Sequence, residues 1–355
     1  MLFINNIFVF YLTLLTLVNY SFSFQLKDDE RWTPEPLRGY QNFLEAKIKP
    51  KVLWNFGGEF QDGDFNNNFD ATSSWNQSFR LNPNVVPLRY DIVFQPNITL
   101  EYFTGNVTIE VQVRESIEEF IVHAAKSLNI SKSLVTFNKT ELKIESQSRF
   151  KKFELYIMKL HQKVTPGLYH LFFEFNGPLN GDLVGLYKSN YKLDNKTIGL
   201  ASTQFEPTLA RKAFPCFDEP QMKAIFKVRI IHEPHHTAHS NMNPVLVSRN
   251  SNGLLTTEFN ESVKMSSYLL AIVVSDFQCI NGSVDGIRVS TCAQPKYFHK
   301  LDYALKKAKD IIHYLNEYFQ IKFPITKIDH VAIPSFLYGA MENWGLITYQ
   351  EYLLS

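Results

Sequence analysis

Residues 300–319 read KLDYALKKAKDIIHYLNEYF. Apolar side chains recur at Leu301, Ala304, Leu305, Ala308, Ile311, Ile312, Leu315 and Phe319, every third or fourth position, which is the period of an α-helix with one buried face. Lys306, Lys307, Lys309 and Asp310 lie mostly off that stripe, and Phe323-Pro324 marks the end. Beyond it, Ile328 to Pro334 and Leu346 to Tyr349 read as strands. A strand-helix-strand order beginning near Gly286 predicts the opening of an α+β domain over residues 286–355.

Upstream of the helix the pattern has a different period. Tyr90 to Phe94, Gly105 to Val113, Leu168 to Phe175, Phe226 to Ile231 and Tyr268 to Val274 are short runs rich in β-branched and aromatic residues, several alternating with polar ones. They predict a mostly antiparallel β domain, a sandwich or saddle, over residues 81–285. Residues 24–80 show little periodicity and carry an Asn, Gly and Asp-rich patch from Asn55 to Asp70, which reads as a flexible stalk or linker. The leading stretch, residues 1–23, holds a near-continuous apolar run from Ile7 to Val18, short of the roughly 20 residues that a membrane span needs. Small residues at Ser21 and Ser23 suit cleavage after Ser23, yet no Lys or Arg precedes Lys27. A cleaved signal peptide and a retained signal anchor therefore both stand, so attachment to a membrane stays open.

Composition narrows the class. The chain has 355 residues, 45% of them hydrophobic and 14% aromatic, enough apolar surface to build roughly two domains and to exclude disorder over its whole length. A formal net charge of +1 gives no reason to expect a nucleic-acid partner. Asn76, Asn97, Asn106, Asn129, Asn138, Asn195, Asn260 and Asn281 each open an Asn-x-Ser/Thr triplet, and together behind an apolar leader they point to N-glycosylation in the secretory pathway. Cys279 and Cys292 flank a turn-rich stretch across which they can form a disulfide or remain two thiols.

The segment Tyr338-Gly339-Ala340-Met341-Glu342-Asn343-Trp344-Gly345 carries the chemistry. One acid in a neutral run flanked by glycines suits a strand that pairs with a bound peptide and meets its ammonium with a carboxylate. A surface turn with an incidental Glu is the plainer alternative.

Gly339 to Asn343 spells GAMEN, and the run on through Trp344, Gly345 and Leu346 resembles the exopeptidase motif of the M1 family of zinc aminopeptidases. A second block, Ala201 to Pro207 running into Arg211 to Pro220, is similar to the N-terminal domain of the same family. Asn82 to Tyr90 and Met265 to Phe277 add weaker similarity, so that the resemblance covers about residues 80 to 355. It implies that Glu342 binds the α-amine of a peptide with a free amino terminus. It further implies that Gly339 and Ala340 bond the peptide backbone, that Met341 and Asn343 belong to the same substrate-binding segment, and that Glu206 supplies a second carboxylate. It also implies a thermolysin-like catalytic domain, zinc as cofactor, and removal of residues from the amino ends of peptides.

His232-Glu233-Pro234-His235-His236 satisfies His-Glu-x-x-His literally. A zinc site of that kind needs a helix, so that both His share one face. Pro234 removes a backbone donor inside the segment, and the M1 family places its zinc helix after GAMEN rather than before it. The segment is expected to be a polar loop, which leaves no metal ligand and no catalytic residue in these 355 residues and predicts a chain inactive alone. The competing reading is a secreted, non-catalytic glycoprotein that uses its β domain to bind peptides or proteins.

Overall fold

The computed structural model describes residues 80–179 and 182–354. The signal or anchor expected at residues 1–23, the stalk up to residue 79 and the sequon at Asn76 lie outside the described residues.

The largest sheet has eight strands, in the order β13 (Pro244–Arg249), β14 (Leu255–Phe259), β11 (Ile225–His232), β1 (Val85–Asn97), β2 (Tyr102–Val113), β8 (Gly167–Pro178), β4 (Asn129–Phe137) and β5 (Thr140–Leu142). Its pairings are antiparallel except β1 with β11, which run parallel. Period-2 alternation explains the central strands: Tyr90, Ile92 and Phe94 of β1 and Tyr169, Leu171, Phe173 and Phe175 of β8 are buried while their neighbours are not. A second sheet of three strands, β3 (Ile117–His123), β7 (Leu155–Val164) and β6 (Ile144–Phe150), packs on it through Phe120 against Tyr169 and Tyr156 against Phe173. Two sheets sharing an aromatic core match the β domain expected from the sequence.

The third sheet is antiparallel, in the order β12 (Thr237–Ser240), β15 (Ile272–Ser275), β10 (Lys196–Gln204) and β9 (Gly185–Leu193). The strand expected from Tyr268 begins only at Ile272, because Ser267–Leu269 forms a 3-10 turn. There the Ser266 and Ser267 hydroxyls donate to Pro220 O and to Asp218 Oδ1, so these residues are anchored locally rather than in a ladder.

The fourth sheet is mixed: β16 (Gln278–Val284), β17 (Ile287–Ala293), β18 (Lys327–Ile333), β20 (Leu346–Gln350) and β19 (Ala340–Met341), with β17–β18 and β18–β20 parallel. Asp285 and Gly286, both with positive φ, close the β16–β17 hairpin. Helix α1 (Leu301–Phe319) is the crossover that parallel strands require between β17 and β18, and it lies where its periodicity put it. Its buried face packs with Ile287, Val289, Ile328, Ile347 and Tyr349. The opposite face of the same sheet, through Val331, Ile333, Met341 and Leu346, shares a core with Tyr187, Leu200 and Val273 of the third sheet. Coverage on both faces explains why all seven residues of β18 are buried.

Candidate functional site

Glu206 follows the end of β10. Its neighbour Phe205 is buried and meets Phe214 edge-on, and Leu209 N donates to Phe205 O, so the chain turns sharply and leaves Glu206 on the surface. Asp218 secures this turn. It accepts from Arg211 Nε at 3.0 Å and from Ser267 Oγ at 2.8 Å, tying the segment after β10 to the turn that carries Tyr268. Arg211 and Asp218 thus form a structural pair. Tyr90 holds the same segment from below, its hydroxyl accepting from Phe217 N at 3.0 Å.

Glu342 follows the two-residue strand β19, which stands at one edge of the mixed sheet. Ala340 and Met341 pair with Tyr349 and Thr348 of β20, and Gln350 N donates to Gly339 O. Met341 is part of the core, and Asn343 is buried with its amide 3.5 Å from Thr348 Oγ1. Glu342 alone in this run is a half-buried acid.

The two flanking glycines have different jobs. Gly345 has φ +83°, and a Cβ there would stand 2.2 Å from Asn241 O, so the close backbone approach it permits comes from within the chain. A Cβ on Gly339 would meet only Leu353 Cδ1, at 3.3 Å. The expectation that both glycines admit a bound peptide is therefore corrected at Gly345.

Asn241 connects the two halves of the site. Buried beyond β12, it donates from Nδ2 to Trp344 O (2.9 Å) and Leu269 O (2.7 Å) and accepts from Ala271 N (3.0 Å). The loop after Glu342 is thereby fastened to the residue after Tyr268. Lys327 adds a second tie: its buried ammonium donates to Ser240 O, Gly345 O and Asp329 Oδ2, the last at 2.6 Å. Burial opposes both charges, but Lys327, His239 and Arg288 hold the Asp329 carboxyl well below the usual range.

This scaffold brings Glu206, Glu342 and Tyr268 within electrostatic reach of one another. Burial raises the carboxyl of Glu342, and the charge of Glu206 raises it further; Glu206 is raised by burial although part of it faces solvent. The Tyr268 phenol is raised by burial and then by both carboxylates. A carboxyl whose ionisation is opposed by burial and by a neighbouring carboxylate, as at Glu342, gains when a cation comes to it. The sequence placed Tyr268 at the head of an expected strand and inside the weaker block from Met265 to Phe277, with no part in the site.

His232 closes β11, and Glu233 to His236 form a turn, so no helix presents two His on one face. His232 Nε2 lies 2.9 Å from Thr257 Oγ1 and Nδ1 lies 3.0 Å from Glu233 O, leaving neither nitrogen open. The segment does not fit a catalytic zinc. Cys279 and Cys292 face each other across β16 and β17 and are disulfide-bonded. Among the described sequons, Asn129, Asn138, Asn195, Asn260 and Asn281 are exposed, whereas Asn97 and Asn106 are half-buried.

The peptidase M1 N-terminal domain matches residues 86–269, and the peptidase family M1 domain matches residues 303–355. The chain is 40% identical over 290 residues to human endoplasmic reticulum aminopeptidase 2, an alignment covering 78% of this chain and 29% of that protein. It is 35% identical over 287 residues to rat endoplasmic reticulum aminopeptidase 1, with 79% and 31% covered. With pig glutamyl aminopeptidase it shares 36% identity over 290 residues, with 79% and 30% covered. The chain spans roughly 30% of the length of these relatives.

Proposed function

Because the chain belongs to peptidase family M1, we propose that Glu206 and Glu342 together grip the free ammonium of a peptide whose backbone lies along β19. The observation that carries this reading is a half-buried Glu342 carboxyl, at the end of an edge strand, that the charge of Glu206 reaches. An ammonium leaving water needs close counter-charges, and each charge-assisted hydrogen bond contributes about 1.5–3 kcal/mol. The free side of β19 supplies backbone donors and acceptors for an extended peptide, in the manner of strand addition. Gly339 and Ala340 are the backbone contacts, with Met341 and Asn343 holding the strand from inside. Tyr268, whose phenol both carboxylates reach electrostatically, completes the group.

In this reading the chain recognises peptides by their amino ends and serves an aminopeptidase that removes amino-terminal residues. The segment 81–285 acts as the β domain and 286–355 as the start of the catalytic domain. Zinc, as the family resemblance implies, is held by ligands other than His232, His235 and His236. A secretory-pathway location, with N-glycans at the exposed sequons, follows from the leader and the sequons together.

The test is calorimetric titration of the 355-residue protein with a tripeptide and with its N-acetylated form. The free amine is expected to bind about tenfold more tightly, an advantage of about 1.4 kcal/mol. Glu342→Gln and Glu206→Gln should each erase that difference. Equal affinity for the two peptides, or a preference that survives Glu342→Gln, overturns the proposal.

A further inference from the structure

His239, Cys279 and Cys292 form a cluster that the amine site does not use. Cys279 and Cys292 are direct partners in the β16–β17 register, with Cα atoms 4.1 Å apart, so both sulfurs stand on one side of the hairpin. His239 reaches them from β12, its Nε2 4.0 Å from Cys279 Sγ, and the three donor atoms all lie within 4.8 Å of one another. We propose that reduction of the Cys279–Cys292 disulfide creates a zinc site in which the two thiolates and His239 Nε2 are the protein ligands.

The geometry requires little movement. Zinc takes thiolate sulfur at about 2.3 Å and imidazole nitrogen at about 2.0 Å in a tetrahedron, which sets donor atoms roughly 3.5 Å apart. Once the S–S bond is open, rotation of the cysteine side chains brings both sulfurs into range of a common centre. The other nitrogen of His239 is already committed: Nδ1 lies 3.5 Å from Asp329 Oδ2. A carboxylate behind a ligating His fixes the tautomer that leaves Nε2 free and keeps the ring in place. Asp329 is itself held by Lys327, Arg288 and Ser290, so this support exists before any metal arrives. Two thiolates and a neutral imidazole around a dication sum to zero charge, as a half-buried position demands. The sulfur-rich donor set selects zinc over magnesium or calcium, and water would be the fourth ligand.

The redox step balances with a dithiol as reductant. One thiolate of the dithiol attacks Cys279 Sγ, the half-buried sulfur, and Cys292, which is fully buried, leaves as thiolate. The second thiol of the reductant resolves the mixed disulfide. Two electrons and two protons pass to the protein, the reductant closes to its own disulfide, and zinc then displaces the two thiol protons.

The experiment uses the 355-residue protein, reduced with a phosphine, desalted without oxygen and titrated with Co2+ as a spectroscopic probe of thiolate ligation. One equivalent is expected to produce thiolate-to-cobalt charge-transfer absorption and tetrahedral ligand-field bands, both removed by added Zn2+. The oxidised protein and Cys279→Ser should lack the charge-transfer signal, Cys216→Ser should keep it, and His239→Ala should weaken Co2+ binding about tenfold or more. Zn2+ should also raise the thermal midpoint of the reduced wild type and leave Cys279→Ser/Cys292→Ser unmoved. No charge-transfer band on reduction overturns the proposal. So does a band that persists in Cys279→Ser, an affinity indifferent to His239→Ala, or a reduced chain that loses its secondary structure even with zinc present.

Discussion

Asn241→Ala tests whether the amine site is held by one side chain. The amide makes three hydrogen bonds, to Leu269 O, Trp344 O and Ala271 N, at 2.7, 2.9 and 3.0 Å. Truncation strands the Ala271 N–H, on a residue with no exposure, and takes the Asn241 donor from two carbonyls. At about 1 kcal/mol net for each ordinary bond and about 1–3 kcal/mol for a buried donor left unpaired, the loss should total about 3–5 kcal/mol. Urea denaturation measures it, and hydrogen exchange locates it: amides of residues 340–346 and 268–272 should lose protection before those of β1 and β2. Asn241→Asp keeps an acceptor for Ala271 but turns an oxygen toward two carbonyls, so it should destabilise at least as much. A loss under about 1 kcal/mol for Asn241→Ala, with exchange at residues 340–346 unchanged, would refute the claim that Asn241 fastens the loop.

Gly345→Ala places a Cβ 2.2 Å from Asn241 O at φ +83°, and should cost about 3 kcal/mol or more by the same denaturation assay. Lys327→Met leaves Asp329 buried with fewer counter-charges and should cost about 3 kcal/mol at pH 7, read as a lowered thermal midpoint. Glu342→Gln should have the opposite sign: its carboxyl is raised in the folded state, so ionisation destabilises the protein once the pH passes about 4.5. The variant should therefore melt higher than wild type at pH 7 and equally at pH 3.5. His123 and His330 are buried and shifted from 6.5 down to about 3 and about 4, chiefly by burial. A depressed imidazole contributes stability above the unfolded value near 6.5 that is lost as the pH falls, about 2 kcal/mol each by pH 5. His330→Leu should flatten the acid limb of a pH–stability profile by that amount.

Much of the architecture is legible without coordinates. The stripe from Leu301 to Phe319 specifies α1 because one face of a helix must be buried, and alternation in β1, β2, β8 and β11 specifies strands because one face of each is buried. Strands without that asymmetry escape the same reading. β13 is exposed at every position and β6 at most of its positions, so their pairing is dictated by a neighbour's free edge rather than by their own side chains. The turn at Ser267–Leu269 was hidden for a related reason, since its anchors, Asp218 and Pro220, lie far away in the chain.

The same division holds for the site. Sequence alone determined that Glu342 is a lone acid in a neutral run, and that Pro234 breaks the only His-Glu-x-x-His before it can form a helix, because both are local properties of the backbone. Tertiary structure decided that Glu206 and Tyr268 come within electrostatic reach of Glu342, that the close approach at Gly345 is made by Asn241, and that His239 meets the Cys279–Cys292 pair. Those are approaches between separate sheets, made because one buried core draws the third and fourth sheets together.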